Sequence, residues 1–226
     1  MRRHDPDRWL ALSYVSEDER KRLIALCALQ IELRQIPAAV SEPPLGEIRL
    51  QWWREALDEV TGDGPVRAHP VVACLRDAAA VDREARAAFE RAIDARGRLL
   101  YDEPFATIDD LCQWADVAEG FMATVSSDAS APAERATLIA AESAFVLAGE
   151  AHAFAPDFGE AVAAYCAQAH QAIKAPMASA PADVVARHLH FCLIPLRVAP
   201  NAEKAGAFTP VRKRLRLFMA MATGRL

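Results

Sequence analysis

Apolar residues recur at helical spacing along most of this chain, and that rhythm limits the fold more strongly than any other feature. The clearest example begins with the sequence SEDE at 16–19, a capping box whose serine and glutamate side chains predict a helix start. Apolar residues then follow in a helical rhythm from Leu23 to Ile36, so we expect a helix to about residue 40, with Pro37 near its end. We find no alternating run of Val, Ile and Thr bounded by turns, and so no predicted strand.

Breaks rich in proline, glycine, serine and aspartate divide the chain into helical segments. The sequences SEPP at 41–44 and TGDGP at 61–65 are the strongest of these breaks. Thr209 and Pro210 place a proline in the first turn of the last segment, where proline is well tolerated. We therefore predict an all-α fold of about nine helices, at 17–40, 45–60, 70–80, 82–101, 107–125, 133–153, 158–174, 182–193 and from 209 onward.

The length and net charge of the chain limit the number of domains and the kinds of partner to be expected. A chain of 226 residues, 53% of them hydrophobic, can bury about 70% of its unfolded surface in one core. We therefore predict a single domain over residues 1–226. The 26 basic residues are outnumbered by 31 acidic ones, for a net charge of −5, which argues against nucleic acid as a partner.

The cysteines and the apolar runs bear on the cellular compartment. Five cysteines are scattered without a CxxC motif, a pattern typical of buried thiols in a reducing compartment. The N-terminal sequence lacks a signal-peptide type of apolar run, and no stretch reaches about 18 uncharged apolar residues. We expect a cytoplasmic protein, with peripheral contact at the inner membrane face left open.

One segment carries a resemblance to a known family. Residues 25–60 read ALCALQIELRQIPAAVSEPPLGEIRLQWWREALDEV. This segment resembles the first third of squalene/phytoene synthase-type proteins, and more closely their divergent branch that includes complex I assembly factors. The sequences YDEPFATIDDLCQWADVAEG at 101–120 and PVRKRLRLFMAMATGRL at 210–226 are similar to that branch as well. The resemblance implies a helical bundle of the isoprenoid synthase type, somewhat truncated, around a central apolar cavity.

The family's chemistry requires two DxxxD motifs, which this chain lacks. In such a motif the two carboxylates share one helix face and can hold Mg²⁺ ions that bind a diphosphate. The resemblance places Pro37 and Ser41 where the first pair of aspartates belongs. Glu42 and, one turn upstream of Pro37, Glu32 remain nearby without recreating the pair.

The second motif is also absent. No acidic residue lies between Glu160 and Asp183, and the stretch from 149 to 157 looks shortened. Asp109, Asp116 and Glu119 stay open as substitute ligands, although acidic residues early in a helix are more often surface groups. We therefore predict no catalytic residue, no metal ligand and no cofactor, with Mg²⁺ expected only if the chain is a transferase after all.

Neither the histidines nor a search for nucleotide-binding and hydrolase motifs indicates a function. His188 and His190 are two residues apart and would point to different faces of a helix, which makes them a poor metal pair. His152 and His170 have no nearby histidine or cysteine partner in the sequence. The GxGxxG, GxxxxGK[ST] and GxSxG motifs are all missing.

Arg49, Trp52 and Trp53 form the most distinctive cluster. Because adjacent residues cannot share a helix face, one interpretation has one tryptophan in the core and the other covering a helix contact. The other interpretation places Arg49 and Trp53, four residues apart, at the border of a cavity or partner groove. With Glu32, Ser41 and Glu42, these residues are our candidates for binding a partner.

Residues 209–226 contain five basic residues and no acidic one. Val211, Leu215, Phe218 and Met219 form an apolar stripe at helical spacing. Such a helix can lie on an anionic membrane surface or dock on an acidic partner, or it can be a core helix with a solvated basic face. The basic candidates for a membrane or partner contact are Arg212, Lys213, Arg214 and Arg216.

Three functions fit these patterns. The first is a catalytically inactive binding or assembly factor, for which the resemblance implies a protein partner or lipid and a role in respiratory complex I maturation. The second is an Mg²⁺-dependent transferase that condenses prenyl diphosphates in isoprenoid biosynthesis. The third is a generic helical interaction domain without a cavity. Facing clusters of acidic side chains across a cavity would favour the second.

Overall fold

The computed structural model describes residues 2–101, 103–126, 132–198 and 209–226. These residues form twelve α-helices and three short 3-10 turns, and none of the described residues lies in a strand. The predicted all-α class is confirmed. The helices are α1 Pro6–Ala11, α2 Glu17–Ala39, α3 Pro43–Thr61, α4 Pro70–Asp77, α5 Arg83–Leu100, α6 Ile108–Ala118, α7 Phe121–Val125, α8 Pro132–Phe154, α9 Gly159–Ser179, α10 Ala182–Arg187, α11 Ile194–Val198 and α12 Thr209–Thr223.

Local sequence signals explain most helix starts. The Asp110 amide donates to the Thr107 hydroxyl at 3.1 Å, which caps α6. The Ala85 amide donates to the Asp82 carboxylate at 2.8 Å and caps α5 in the same way. Helix α2 begins at Glu17 as predicted, but the Ser16 side chain makes no capping hydrogen bond, so the predicted capping box is wrong.

The described residues form three more helices than the nine that the sequence predicts. Helix α1 was not predicted, and a 3-10 turn at Leu189–Leu193 separates α10 from α11. The predicted helix 107–125 is broken between α6 and α7 by Glu119 and Gly120. A side chain at Gly120 would come within 2.6 Å of the Ser143 hydroxyl, so this break lets α8 approach closely. Packing between distant segments, rather than local propensity, divides that helix.

Two hydrophobic clusters hold the helices together. The first joins α2, α3, α4, α5 and α7, with Trp53 and Phe89 among its buried side chains. The second is built mainly from α6, α8, α9 and the 3-10 turn Leu189–Leu193, with Phe145 and Phe191 among its fully buried side chains. Helix α7 packs on both α5 and α8 and so connects the two clusters. None of the described helices is both long and apolar enough to cross a membrane.

Replacing Gly120 with alanine tests the close approach of α8. We expect Gly120→Ala to lower the free energy of unfolding by about 1–3 kcal/mol, because Ser143 and Ile139 must move. Gly97 in α5 is the matched control, since a methyl group there meets nothing within 4 Å. Gly97→Ala should raise stability by about 0.5–1 kcal/mol. Urea unfolding measures both, and equal stabilisation by the two changes would contradict the packing argument.

Candidate functional site

A network of charged and polar side chains occupies the interior between α2 and α8. Its most deeply buried members are Gln30, Arg96, Glu119 and Glu142, each exposing 2% of its surface or less, and Arg8, which exposes 3%. Buried charges of this kind require partners, because leaving one unpaired in an apolar interior is costly. Every one of these five side chains has a hydrogen-bond partner in the network.

Glu142 of α8 is the first centre of this network. Arg8 donates one guanidinium hydrogen bond to Glu142 and another to the Gln30 amide oxygen at 2.6 Å. The second Glu142 oxygen lies 2.9 Å from His190 Nε2. Burial alone would raise the pKa of Glu142, but the Arg8 guanidinium, followed by His190, outweighs burial and holds that pKa at about 2. Glu142 is therefore an ion-paired carboxylate at neutral pH.

Glu119, at the break between α6 and α7, is the second centre. Its carboxylate accepts hydrogen bonds from Gln30 at 2.8 Å, from Arg34 at 2.9 Å and from Arg96 at 2.8 Å. Arg34 also donates to Glu150 of α8 at 2.6 Å. Gln30 bonds to both Arg8 and Glu119, and so joins the two centres into one network. Side chains from α1, α2 and α5, together with His190 of the 3-10 turn Leu189–Leu193, converge on these two carboxylates.

The interior between these helices is lined by charged and polar side chains at this network. A cavity of only about 10 Å³ adjoins Arg8 and Glu142, which is room for about one water molecule. The expectation of a central apolar cavity is therefore not met between these helices. Among the described residues, no three His, Cys, Asp or Glu side chains are grouped so as to hold a metal ion.

The three substitute ligands considered from the sequence do not come together. Asp109 is exposed on α6. Asp116 accepts a hydrogen bond from the Ser143 hydroxyl at 2.6 Å, and burial raises its pKa. Glu119 alone faces the interior network. Their separate environments leave no pair of carboxylates sharing one open site.

A groove on the opposite side of α2 brings together four of the six candidates for partner binding. It has a volume of about 390 Å³ and lies between α2, α3 and His69. Ser41 and Glu42 are exposed in the connection between α2 and α3 and do not line it. The groove is lined by Glu32, Gln35, Ile36, Ala39, Arg49, Trp52, Trp53 and His69.

Aromatic packing fixes the floor of this groove. Trp53 is 5% exposed and belongs to the core, whereas Trp52 is half-buried at the surface. Their rings meet edge to face with centroids 4.9 Å apart, and His69 packs against both. The Arg67 guanidinium lies 4.5 Å from the Trp52 ring centroid. The groove therefore has a rigid aromatic floor, with the exposed Arg49 at its edge.

Helix α12 turns its apolar stripe away from the core. Leu217 and Ala220 are buried, while Val211, Leu215 and Phe218 are 57–61% exposed. The basic candidates divide in the same way. Lys213 donates to Asp7 at 2.6 Å and Arg216 is half-buried beside Cys192, whereas Arg212 and Arg214 are exposed.

The interior network was missed from the sequence, although two signals for it were present. Gln30 and Arg34 interrupt the apolar rhythm of α2 at positions where that rhythm predicts core residues. Glu142 is the one charged residue in the sequence between Arg135 and Glu150 of α8. A polar residue on a buried helix face is informative because it must have a partner elsewhere in the fold.

Comparison with known proteins identifies the family to which this chain belongs. The family model for squalene/phytoene synthase matches residues 1–163, well over half of the chain. The chain therefore belongs to the squalene/phytoene synthase family, which confirms the resemblance seen in the sequence. The match ends within α9, whose residues beyond Glu160 contain no carboxylate.

Individual relatives carry a more specific name. The chain is 28% identical over 116 residues to NADH dehydrogenase (ubiquinone) complex I, assembly factor 6, of Bos taurus, which covers 51% of this chain and 34% of that protein. The proteins of that name from Mus musculus and Homo sapiens are 27% and 26% identical, over 53% and 51% of this chain and 36% and 34% of theirs. The matched region thus spans about a third of each relative's length. No solved structure matches the chain significantly.

The low pKa of Glu142 predicts how stability depends on pH. A carboxylate whose pKa falls from 4.5 in the unfolded chain to about 2 stabilises the fold above pH 4.5 and loses that contribution as the pH falls towards 2. Glu142→Gln should cost about 3–5 kcal/mol at pH 7, because the buried Arg8 keeps its charge and loses the nearer of its two carboxylate partners, Asp5 being the other. Between pH 4.5 and 2.5 the variant should lose less stability than the wild type.

Urea unfolding at pH 7, 4.5 and 2.5 measures this difference. Glu160→Gln is the matched control, because Glu160 is exposed in the first turn of α9. That control should follow the wild type to within about 0.5 kcal/mol. Parallel pH curves for the wild type and Glu142→Gln would show that the carboxylate of Glu142 is not specifically stabilised in the fold.

Proposed function

We propose that this chain is a catalytically inactive member of its family that serves as a binding and assembly factor. One observation carries the proposal: the interior carboxylates Glu119 and Glu142 are bonded to arginine, glutamine and histidine side chains. In a prenyl-transfer enzyme, interior carboxylates must keep oxygen atoms open for Mg²⁺, which in turn binds the diphosphate. Here those oxygen atoms serve to hold helices together.

The free-energy cost of breaking buried ion pairs supports the interpretation that the network is structural. Turning Glu119 towards a metal ion would leave Arg96 buried without its carboxylate partner, and would leave Arg34 paired with Glu150 alone. Breaking a buried ion pair by removing one partner typically costs about 3–5 kcal/mol. The Mg²⁺-diphosphate complex would also have to enter a space that these side chains already fill. A transferase would thus have to dismantle part of its own fold in order to bind substrate.

The names of the relatives suggest what is assembled. They are described as assembly factors of complex I, the NADH dehydrogenase that reduces ubiquinone. We extend that role to this chain: it would bind a protein partner during maturation of the respiratory complex. It would act from the cytoplasm, in peripheral contact with the inner face of the membrane. The groove at Arg49 and Trp52 is the surface that we assign to the protein partner.

The alternative is an Mg²⁺-dependent transferase that joins prenyl diphosphates, which family membership favours. Titration calorimetry with a non-hydrolysable farnesyl diphosphate analogue, with and without Mg²⁺, separates the two functions. We expect no Mg²⁺-dependent binding, because the carboxylates of the network are occupied. A family enzyme that retains both aspartate motifs serves as the positive control. Mg²⁺-dependent binding with a dissociation constant in the micromolar range would contradict the proposal and favour the transferase.

The groove can be tested in cells that lack this protein. Arg49→Glu reverses an exposed charge at the edge of the groove. We expect this variant to restore less than about a tenth of complex I activity. A loss of that size is typical when a hot-spot residue of a binding interface is changed. Arg91→Glu, an exposed charge on α5, is the matched control and should restore activity fully. NADH:ubiquinone reductase activity of isolated membranes is the measurement, with the amount of each variant determined by immunoblot. Full restoration by Arg49→Glu would exclude the groove as the partner site.

A further inference from the structure

Helix α12 carries four of the large hydrophobic side chains that are exposed in the described part of the chain. Val211, Leu215, Phe218 and Met219 expose 61%, 59%, 57% and 50% of their surfaces. At about 100° per residue, these four side chains fall within an arc of about 100° on one side of the helix. Leu217 and Ala220, on the opposite side, are 0% and 3% exposed and attach the helix to the protein.

Two arginines border this apolar stripe, one on each side. On the same helical projection, Arg212 follows Met219 by about 20°, and Arg214 precedes Phe218 by about 40°. Both arginines are exposed, and neither has an ion pair with any described residue. Lys213 instead points towards the protein and pairs with Asp7 at 2.6 Å. The two arginines at the edges of the stripe are thus available to a ligand.

The charge of the helix differs from that of the chain. The whole chain has a net charge of −5, yet residues 209–226 contain five basic residues and no acidic one. An apolar stripe with one exposed arginine on each side fits the interface of an anionic membrane. The stripe would lie at the level of the upper acyl chains, and the long arginine side chains would reach the phosphate groups.

We infer that α12 binds the surface of anionic phospholipid membranes, lying parallel to the membrane with Leu215 and Phe218 inserted. The helix is already formed and attached through Leu217 and the Lys213–Asp7 ion pair, so binding requires no folding step. A single short helix with two available arginines gives weak and reversible attachment. This inference rests on the peripheral membrane contact in the proposed function, and it names the surface and the lipid class responsible.

An acidic protein surface is the competing occupant. The helix favours lipid because its exposed stripe consists entirely of aliphatic, methionine and phenylalanine side chains. It offers no hydrogen-bonding group by which a protein partner would be oriented. The arginines lie on both flanks of the stripe, which matches a continuous plane of phosphates better than one acidic patch. The experiment below includes an outcome for the protein alternative.

Co-sedimentation of the full chain with lipid vesicles tests the inference. The probes are phosphatidylcholine vesicles and vesicles containing 30% phosphatidylglycerol, each at low and physiological salt. We expect binding to the anionic vesicles only, and weaker binding as salt increases. Each arginine near an anionic surface contributes about a fivefold gain in affinity, so Arg212→Glu with Arg214→Glu should weaken binding by about 25-fold or more. Leu215→Ser with Phe218→Ser should weaken it by about tenfold or more, through lost apolar insertion.

Matched controls distinguish vesicle binding by α12 from nonspecific binding through charged or apolar groups elsewhere on the surface. Arg83→Glu with Arg91→Glu makes the same charge change at exposed positions of α5. Leu45→Ser with Ile48→Ser removes the same kind of exposed apolar group from α3. Both control pairs should bind anionic vesicles within about twofold of the wild type, since neither touches α12. All variants change exposed residues, and thermal unfolding followed by circular dichroism confirms that each is folded.

Three outcomes would overturn the inference. They are equal binding to neutral and anionic vesicles, no binding of the wild type to either, and unchanged binding of the α12 variants. Of these, the absence of binding to either kind of vesicle would favour an acidic protein surface as the occupant of α12. The assay uses only purified chain and lipid, so its failure would leave the assembly role intact. Conversely, loss of that role in cells would not affect vesicle binding.

Discussion

Glu119 accepts hydrogen bonds from Gln30, Arg34 and Arg96, and most of the fold depends on that one carboxylate being fully paired. It lies where α6 ends, and its donors come from α2 and α5. Through Gln30 and Arg8 the same network reaches Glu142 on α8. A buried charge tolerates little displacement from its partners, because the interior offers no water to replace them. The network therefore fixes the relative positions of helices that are far apart in sequence.

The same constraint decides what kind of function the interior can support. A metal-dependent prenyl transferase needs anionic oxygen atoms that are held in place but still open to Mg²⁺. In this chain the interior oxygen atoms are held in place by cations of the protein itself. Glu142 illustrates the difference, since Arg8 and His190 occupy its two oxygen atoms and keep its pKa at about 2. With the interior used for stability, our proposals place function at the surface, in the groove beside Trp52 and on the outer face of α12.

Local features of the fold were predictable from the sequence, whereas features set by distant contacts were not. Helix α2 runs from Glu17 to Ala39, within a residue or two of its prediction, because its apolar rhythm and its flanking break are local. The break at Gly120 was missed because its cause is Ser143, which approaches from another helix. The same distinction between local and distant features applies to the candidate site. The cluster of Arg49, Trp52 and Trp53 was recognised by its composition, but the part of His69 in the groove was not.

By itself, the sequence determined that the chain is helical, that it resembles one family and that both aspartate motifs are missing. Each of these follows from residue types at short spacings, which fix backbone preference and local chemistry. Only the tertiary structure decided that Arg8, Gln30 and Glu142 meet, and that the apolar stripe of α12 faces outward rather than into the core. The physical reason is that the burial and pairing of a side chain depend on which other helix packs against it. That choice follows from the packing of the whole chain, because each helix can bury only the face that its neighbours leave room for.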